Sequence, residues 1–73
     1  MNPKTRKALD EAKRMFRKKQ YDEALEHINE NMDQDDVGNC IISFFEGECY
    51  EGKKDYYMAT LAFKNAYLSS LAF

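Results

Sequence analysis

The chain has little that would break a helix or build a strand. It carries one proline, Pro3, and three glycines, Gly38, Gly47 and Gly52. No stretch shows the β-branched alternation of a half-buried strand. Two cysteines, Cys40 and Cys49, are too few for a disulfide framework. If both lie on one helix, nine residues apart, their separation along its axis is ~13.5 Å, beyond the ~7 Å that a disulfide spans between Cα atoms. One histidine, His27, without a Cys-x2-Cys pair, makes no metal set with those cysteines. They read instead as small core hydrophobes. There is no Gly-rich phosphate loop, no Ser/His/Asp set and no nucleotide fingerprint. The N-terminus, MNPKTRKALDEAKR, is highly charged, and no long apolar run follows it. These absences argue against an enzyme, a cofactor, a bound metal and membrane insertion, and lead us to expect a reduced, cytoplasmic protein.

What is present is enough for one small all-helical domain. A chain of 73 residues buries only roughly 60% of the surface that its unfolded form exposes. Small scaffolds of this kind are usually reinforced by disulfides, a metal or oligomerisation, and here oligomerisation is the device left.

Charge is unevenly spread although the net value is −2. Residues 1–20 hold eight Lys/Arg against Asp10 and Glu11, a balance of +6; residues 21–52 hold ten acids and no Lys or Arg. A basic segment beside an acidic one favours intramolecular or head-to-tail pairing. Nucleic acid fits less well, because no aromatic platform accompanies the basic stretch and the acidic region repels phosphate.

Spacing predicts four helices in two antiparallel hairpins. Asn2-Pro3 opens the first, about 3–18, with Ala8, Leu9, Ala12, Met15 and Phe16 on one face. A turn at Lys19-Gln20 has no glycine, so a left-handed residue there costs about 1 kcal/mol. The second helix, about 21–33, opens on Asp22 and Glu23 at its positive end and aligns Tyr21, Ala24, Leu25, Ile28 and Met32. Residues 31–39, NMDQDDVGN, form the clearest loop. The third helix, about 37–51, takes Asp36 as its N-cap. The fourth fills about 55–71 after a turn at Gly52-Lys53-Lys54.

Sliding residues 5–39 onto 40–73 with an offset of 35 reveals a repeat. Tyr21 falls on Tyr56, Ala24 on Ala59, Ile28 on Phe63, Ala12 on Gly47 and Met15 on Tyr50. Gly47-x2-Tyr50 on one helix and Ala59-x3-Phe63-x2-Ala66 on the next have the spacing of a tetratricopeptide repeat, and the chain resembles two such repeats (5–39 and 40–73), the second better formed. The resemblance implies that Ala12 or Gly47 and Ala24 or Ala59 allow close helix approach. Met15 with Ile28, and Tyr50 with Phe63, then fill the space beside each contact. The pattern also departs from the family. Its tryptophan slot holds Ala8 and Ser43, its leucine slot Glu11 and Glu46, and its terminal proline slot Asp36 and Leu71. Glu11 and Glu46 are either a buried-edge hydrogen-bonding pair or rim charges, of which we favour rim charges, and Glu48 and Glu51 with Glu46 read as a solvated face.

By that resemblance the first helix of each repeat lines a concave face. The matching positions are Arg6, Leu9, Lys13, Phe16 and Arg17, then Ile41, Phe44, Glu48 and Glu51. Family members that bind chaperone tails clamp a terminal carboxylate with a Lys and an Asn. Those slots hold Leu9 and Lys13 here, so the clamp is not reproduced. Two readings of the apolar members stand side by side. Phe16 and Phe44 anchor a bound peptide or helix, or Leu9, Phe16, Ile41 and Phe44 pack together.

The last helix poses a sharper question. Thirteen of the eighteen residues 56–73 are apolar, and only Lys64 is charged. One face must meet the preceding helix. Tyr57, Met58, Leu61, Leu68, Leu71 and Phe73 are left over, and a helix that is apolar all round is buried all round. Repeat arrays end in a polar cap, and none follows in this alignment. With a chain that begins at Met, a homodimer through this helix is the expected cover. The expected function is a non-enzymatic scaffold or adaptor that self-associates and binds a protein segment. A piece of a longer array with no ligand of its own is the alternative, and an electrostatic binder of nucleic acid or an anionic surface through the first helix ranks third.

Overall fold

The computed structural model describes residues 1–71. Its regular elements are all helical: α1 (Pro3–Arg17), α2 (Tyr21–Asn31), a single 3-10 turn (Gln34–Asp36), α3 (Cys40–Gly52) and α4 (Tyr56–Leu71). The all-α class and the two helix hairpins agree with the spacing argument. The chain divides into two compact units, Met1–Val37 and Gly38–Phe73, each containing one hairpin.

In the first unit α1 starts where its sequence dictates. The Asn2 side chain accepts the Lys4 N–H at 2.8 Å, and Pro3 opens the first turn. Thr5, Ala8, Leu9 and Ala12 are the buried face of α1, and Ala24 and Ile28 that of α2. The small residues at 12 and 24 have no side-chain bulk to hold the two helices apart. The ring of Phe16 meets Tyr21 edge-on at 5.4 Å, at the closed end of the hairpin.

The second unit repeats this plan with larger side chains. Ile42, Phe45 and Cys49 of α3 and Ala59 and Ala66 of α4 are buried. Gly47 makes the closest approach. A Cβ built there would lie 2.6 Å from two carbons of the Phe63 ring, so only glycine leaves room for it. Asp55 caps α4 by accepting the Met58 N–H at 3.2 Å.

The two hairpin turns are the same structure, 35 residues apart. In the first, Lys19 N–H bonds to Phe16 C=O and Gln20 N–H to Met15 C=O, both at 2.9 Å. In the second, Lys54 N–H bonds to Glu51 C=O and Asp55 N–H to Tyr50 C=O, again at 2.9 Å. This crossed pair closes a helix through one left-handed residue, a position that strongly favours glycine. Both turns place lysine there instead, Lys19 at φ 62° and Lys54 at φ 65°.

The start of α3 departs from expectation. Asp36 does not cap it; Asn39 does, accepting the Ile41 N–H at 2.9 Å after Gly38 has turned the chain at φ 84°. Asp36 is turned toward the beginning of the chain, where its carboxylate accepts the Asn2 N–H at 3.0 Å. Thr5 is the second tie, since its hydroxyl oxygen accepts the Asp33 N–H at 2.8 Å. Hydrogen bonds from Thr5 and Asn2 hold the Asp36 carboxyl below its ordinary range. The segment after α2 is thereby fastened to the first turn of α1. As a result α2 ends at 31 rather than 33, and α3 begins at 40 rather than 37.

Candidate functional site

The exposed large apolar side chains concentrate on the second hairpin. α4 meets α3 through Ala59, Phe63 and Ala66. On other sides Tyr57, Leu68 and Leu71 keep 75%, 52% and 64% of their surface exposed, and Leu61 is also exposed. With Lys64 they recur at steps of four, three, four and three residues, which places all five on one stripe of the helix. Two hydroxyls of α4 are turned back on its own backbone. Thr60 donates to the Tyr56 carbonyl at 2.8 Å and Ser70 to the Tyr67 carbonyl at 2.6 Å, so both polar groups are satisfied by the helix itself.

The repeat supplies an internal control for this stripe. Thirty-five residues earlier, the positions of Tyr57, Leu61, Lys64 and Leu68 are held by Asp22, Glu26, Asn29 and Asp33. The first three are exposed on α2 and the fourth is half-buried. Over Asp22, Glu26 and Asn29 that register faces outward on α2 and is polar, whereas Asp33 and Asp36, which match Leu68 and Leu71, lie beyond the end of α2 and are half-buried and buried. The second hairpin makes the same outward register apolar, which hairpin packing does not require.

A groove of about 670 Å³ opens between α3 and α4, walled by Ile41, Phe44, Phe63, Ala66 and Tyr67, with Cys40 and Ser70 at its end. Phe44 and Phe63 face each other across its floor with ring centres 5.4 Å apart. A smaller cavity of about 210 Å³ includes Glu46, Tyr50, Met58 and Leu61. Glu46 is half-buried rather than a rim charge, and desolvation pushes its carboxyl above the usual range.

The expected concave-face residues divide. Arg6, Lys13 and Arg17 are exposed on α1, and Phe16 is half-buried against Tyr21. Leu9 is a correction: it is 4% exposed. It stands one turn from Thr5 and beside Ala8 and Ala12, so it belongs to the inward face and cannot receive a partner. Ile41, Phe44 and Glu51 are exposed on α3, and Glu48 is half-buried. Among the self-association residues Tyr57, Leu61, Leu68 and Leu71 are exposed as expected. Met58 is half-buried and leans into the smaller cavity against α3, which removes it from the outer stripe. Phe73 lies outside the described residues.

Sequence reasoning missed the α4 wall of the groove. Spacing reads Phe63 as packing beside Tyr50 and gives Tyr67 no role, yet Tyr67 is exposed and the Phe63 ring lies 5.4 Å from that of Phe44. The basic residues of the first unit lie at its surface. Lys4, Arg6, Lys7, Lys13, Arg14, Arg17, Lys18 and Lys19 are all exposed, and Glu11 lies 3.4 Å from the His27 ring Nε2.

Chemistry is sparse. Both cysteines are free. Burial, followed by the charges of Glu48 and Glu46, pushes the Cys49 thiol up to about 12, which leaves it protonated at neutral pH. No described helix is long and apolar enough to cross a membrane. Among the described residues no three His, Cys, Asp or Glu side chains gather as a metal site would require. No family model, no curated protein and no solved structure matches the chain.

Proposed function

We propose that this protein is a non-enzymatic interaction module, a tetratricopeptide-like pair of helix hairpins that self-associates through the outer face of α4. One observation carries the reading. Tyr57, Leu61, Leu68 and Leu71 are exposed and apolar along one stripe of α4, and at the first two of these positions the first hairpin has exposed acids, Asp22 and Glu26. Covering a stripe on the order of 400 Å² is worth ~10 kcal/mol by area, before the costs of association are subtracted. A homodimer is the smallest assembly that provides cover from the chain's own material. A cytoplasmic setting accords with two reduced thiols and with the lack of any described membrane-spanning helix.

The groove between α3 and α4 supports a second reading, capture of a peptide or helix. Its walls are almost wholly apolar, and Ile41, Phe44 and Tyr67 are exposed along it. Aromatic anchors in such a groove suit an amphipathic helix.

Leu61→Lys and Leu68→Lys test the first reading. Each puts a charge on the proposed interface; Leu68 stands clear of the smaller cavity, and Leu61 borders it. Light scattering after size exclusion should show the native chain above monomer mass and both variants at monomer mass, with helicity retained. Unchanged mass in both variants overturns the choice of face.

A further inference from the structure

Which surface of a second copy covers the α4 stripe is decided by the charge at its centre. Lys64 stands midway along the stripe, between Leu61 and Leu68. Pairing two α4 helices symmetrically, in either direction, brings Lys64 against Lys64 at the middle of an otherwise apolar contact. Like charges in such a setting are unfavourable and lose their water as well.

The same hairpin displays a face without this conflict. On α3, Ile41 and Phe44 are exposed and apolar, Glu51 is exposed, and Glu48 is half-buried. These four are separated by three, four and three residues. Leu71, Leu68, Lys64 and Leu61, read backwards along α4, are separated by three, four and three residues. Each set spans ~15 Å of helix. Laid antiparallel, Ile41 meets Leu71, Phe44 meets Leu68, Glu48 meets Lys64, and the methylenes of Glu51 lie along Leu61. Two apolar contacts and one opposite-charge pair fall in a single register.

We propose that the α4 stripe of one copy docks antiparallel on the α3 face of a second copy, with Lys64 opposite Glu48 of that copy. The proposal rests on the self-association described above and specifies the contact. One face donates and a different face receives, so the contact is heterologous, and a dimer is its smallest member. The Glu48–Lys64 pair fixes register and partner face, as charges flanking helix–helix seams do.

Reversing the charges tests this by sedimentation velocity. Lys64→Glu and Glu48→Lys should each weaken association about tenfold, as an attraction becomes a repulsion. Combining them in one chain, or mixing the two single variants in equal amounts, should restore association to within about threefold of the native value. Glu48→Gln, which keeps the side-chain shape, should weaken it about threefold and carries the same test should Glu48→Lys not fold. Two results overturn the proposed contact while leaving self-association intact. One is a native chain that associates but ignores both changes at Glu48. The other is Lys64→Glu mixed with the native chain associating more tightly than the native chain alone, as a symmetric α4 pair requires. A native chain that stays monomeric overturns the self-association itself.

Discussion

Replacing Gly47 with alanine is the most demanding test of the second hairpin, because two known effects oppose each other there. In an open helix interior the change stabilises by about 1 kcal/mol through backbone propensity. At Gly47 the new methyl meets three carbons of the Phe63 ring at 2.6, 2.6 and 2.9 Å. Carbon atoms prefer about 3.5–4.0 Å, so the ring must retreat by about 1 Å. A rigid ring already against Phe44 cannot do this by rotating a flexible end. Overpacking of this kind costs about 1–3 kcal/mol, and Gly47→Ala should destabilise the protein by about 1–2 kcal/mol net. That is a large share of the ~4–11 kcal/mol available to a domain of this size. The decisive comparison uses Phe63→Leu, whose shorter side chain makes room. In that background Gly47→Ala should become neutral or stabilising by up to about 1 kcal/mol. Urea unfolding followed by helical circular dichroism, at one fixed protein concentration, measures both arms. A stabilising Gly47→Ala in the native background, or the same effect in both backgrounds, would refute the close approach.

Three further outcomes follow from the other structural ties. Lys19→Gly and Lys54→Gly should each stabilise by about 1 kcal/mol, since both lysines hold the left-handed position that glycine adopts freely, and chemical denaturation of the single and double variants should show the gains adding. Thr5→Val should cost about 1–2 kcal/mol at neutral pH by removing a buried acceptor and donor; because folding lowers the Asp36 pKa, its contribution is full above its ordinary 3.8 and disappears as pH falls through the folded value, so Asp36→Asn should flatten the acid limb of the stability profile. In the folded chain at pH 8 a thiol reagent should modify half-exposed Cys40 and spare buried Cys49 until denaturant is added, with mass spectrometry identifying the site.

The helices themselves were legible because their cause is local. Apolar residues at three- and four-residue spacing placed Ala8 and Ala12, Ala24 and Ile28, and Ala59 and Ala66 on inward faces, where the structure has them. The offset of 35 was legible too, and it extends to the turns, where Lys19 and Lys54 share one conformation that neither residue type announces. What could not be read depends on distant partners. Asp36 looked like a cap for the helix beside it, but it is bound by Asn2 and Thr5, more than thirty residues back in the chain. Leu9 fitted both an inward stripe and a concave face, and only packing chose between them. Met58 and Glu46 were assigned outward positions by spacing, while the depth of the gap between α3 and α4 sets how far each sinks. The groove was half visible. Its α3 wall was named, and its α4 wall was hidden because aromatic residues at core spacing read as core.

Sedimentation equilibrium of the unmodified chain, from low micromolar to about 100 μM, tests the central claim most directly. The account predicts a weight-average mass that climbs from the 8.6 kDa of one chain with increasing concentration. A mass that stays at one chain throughout would show that the outer face of α4 is not an interface between copies.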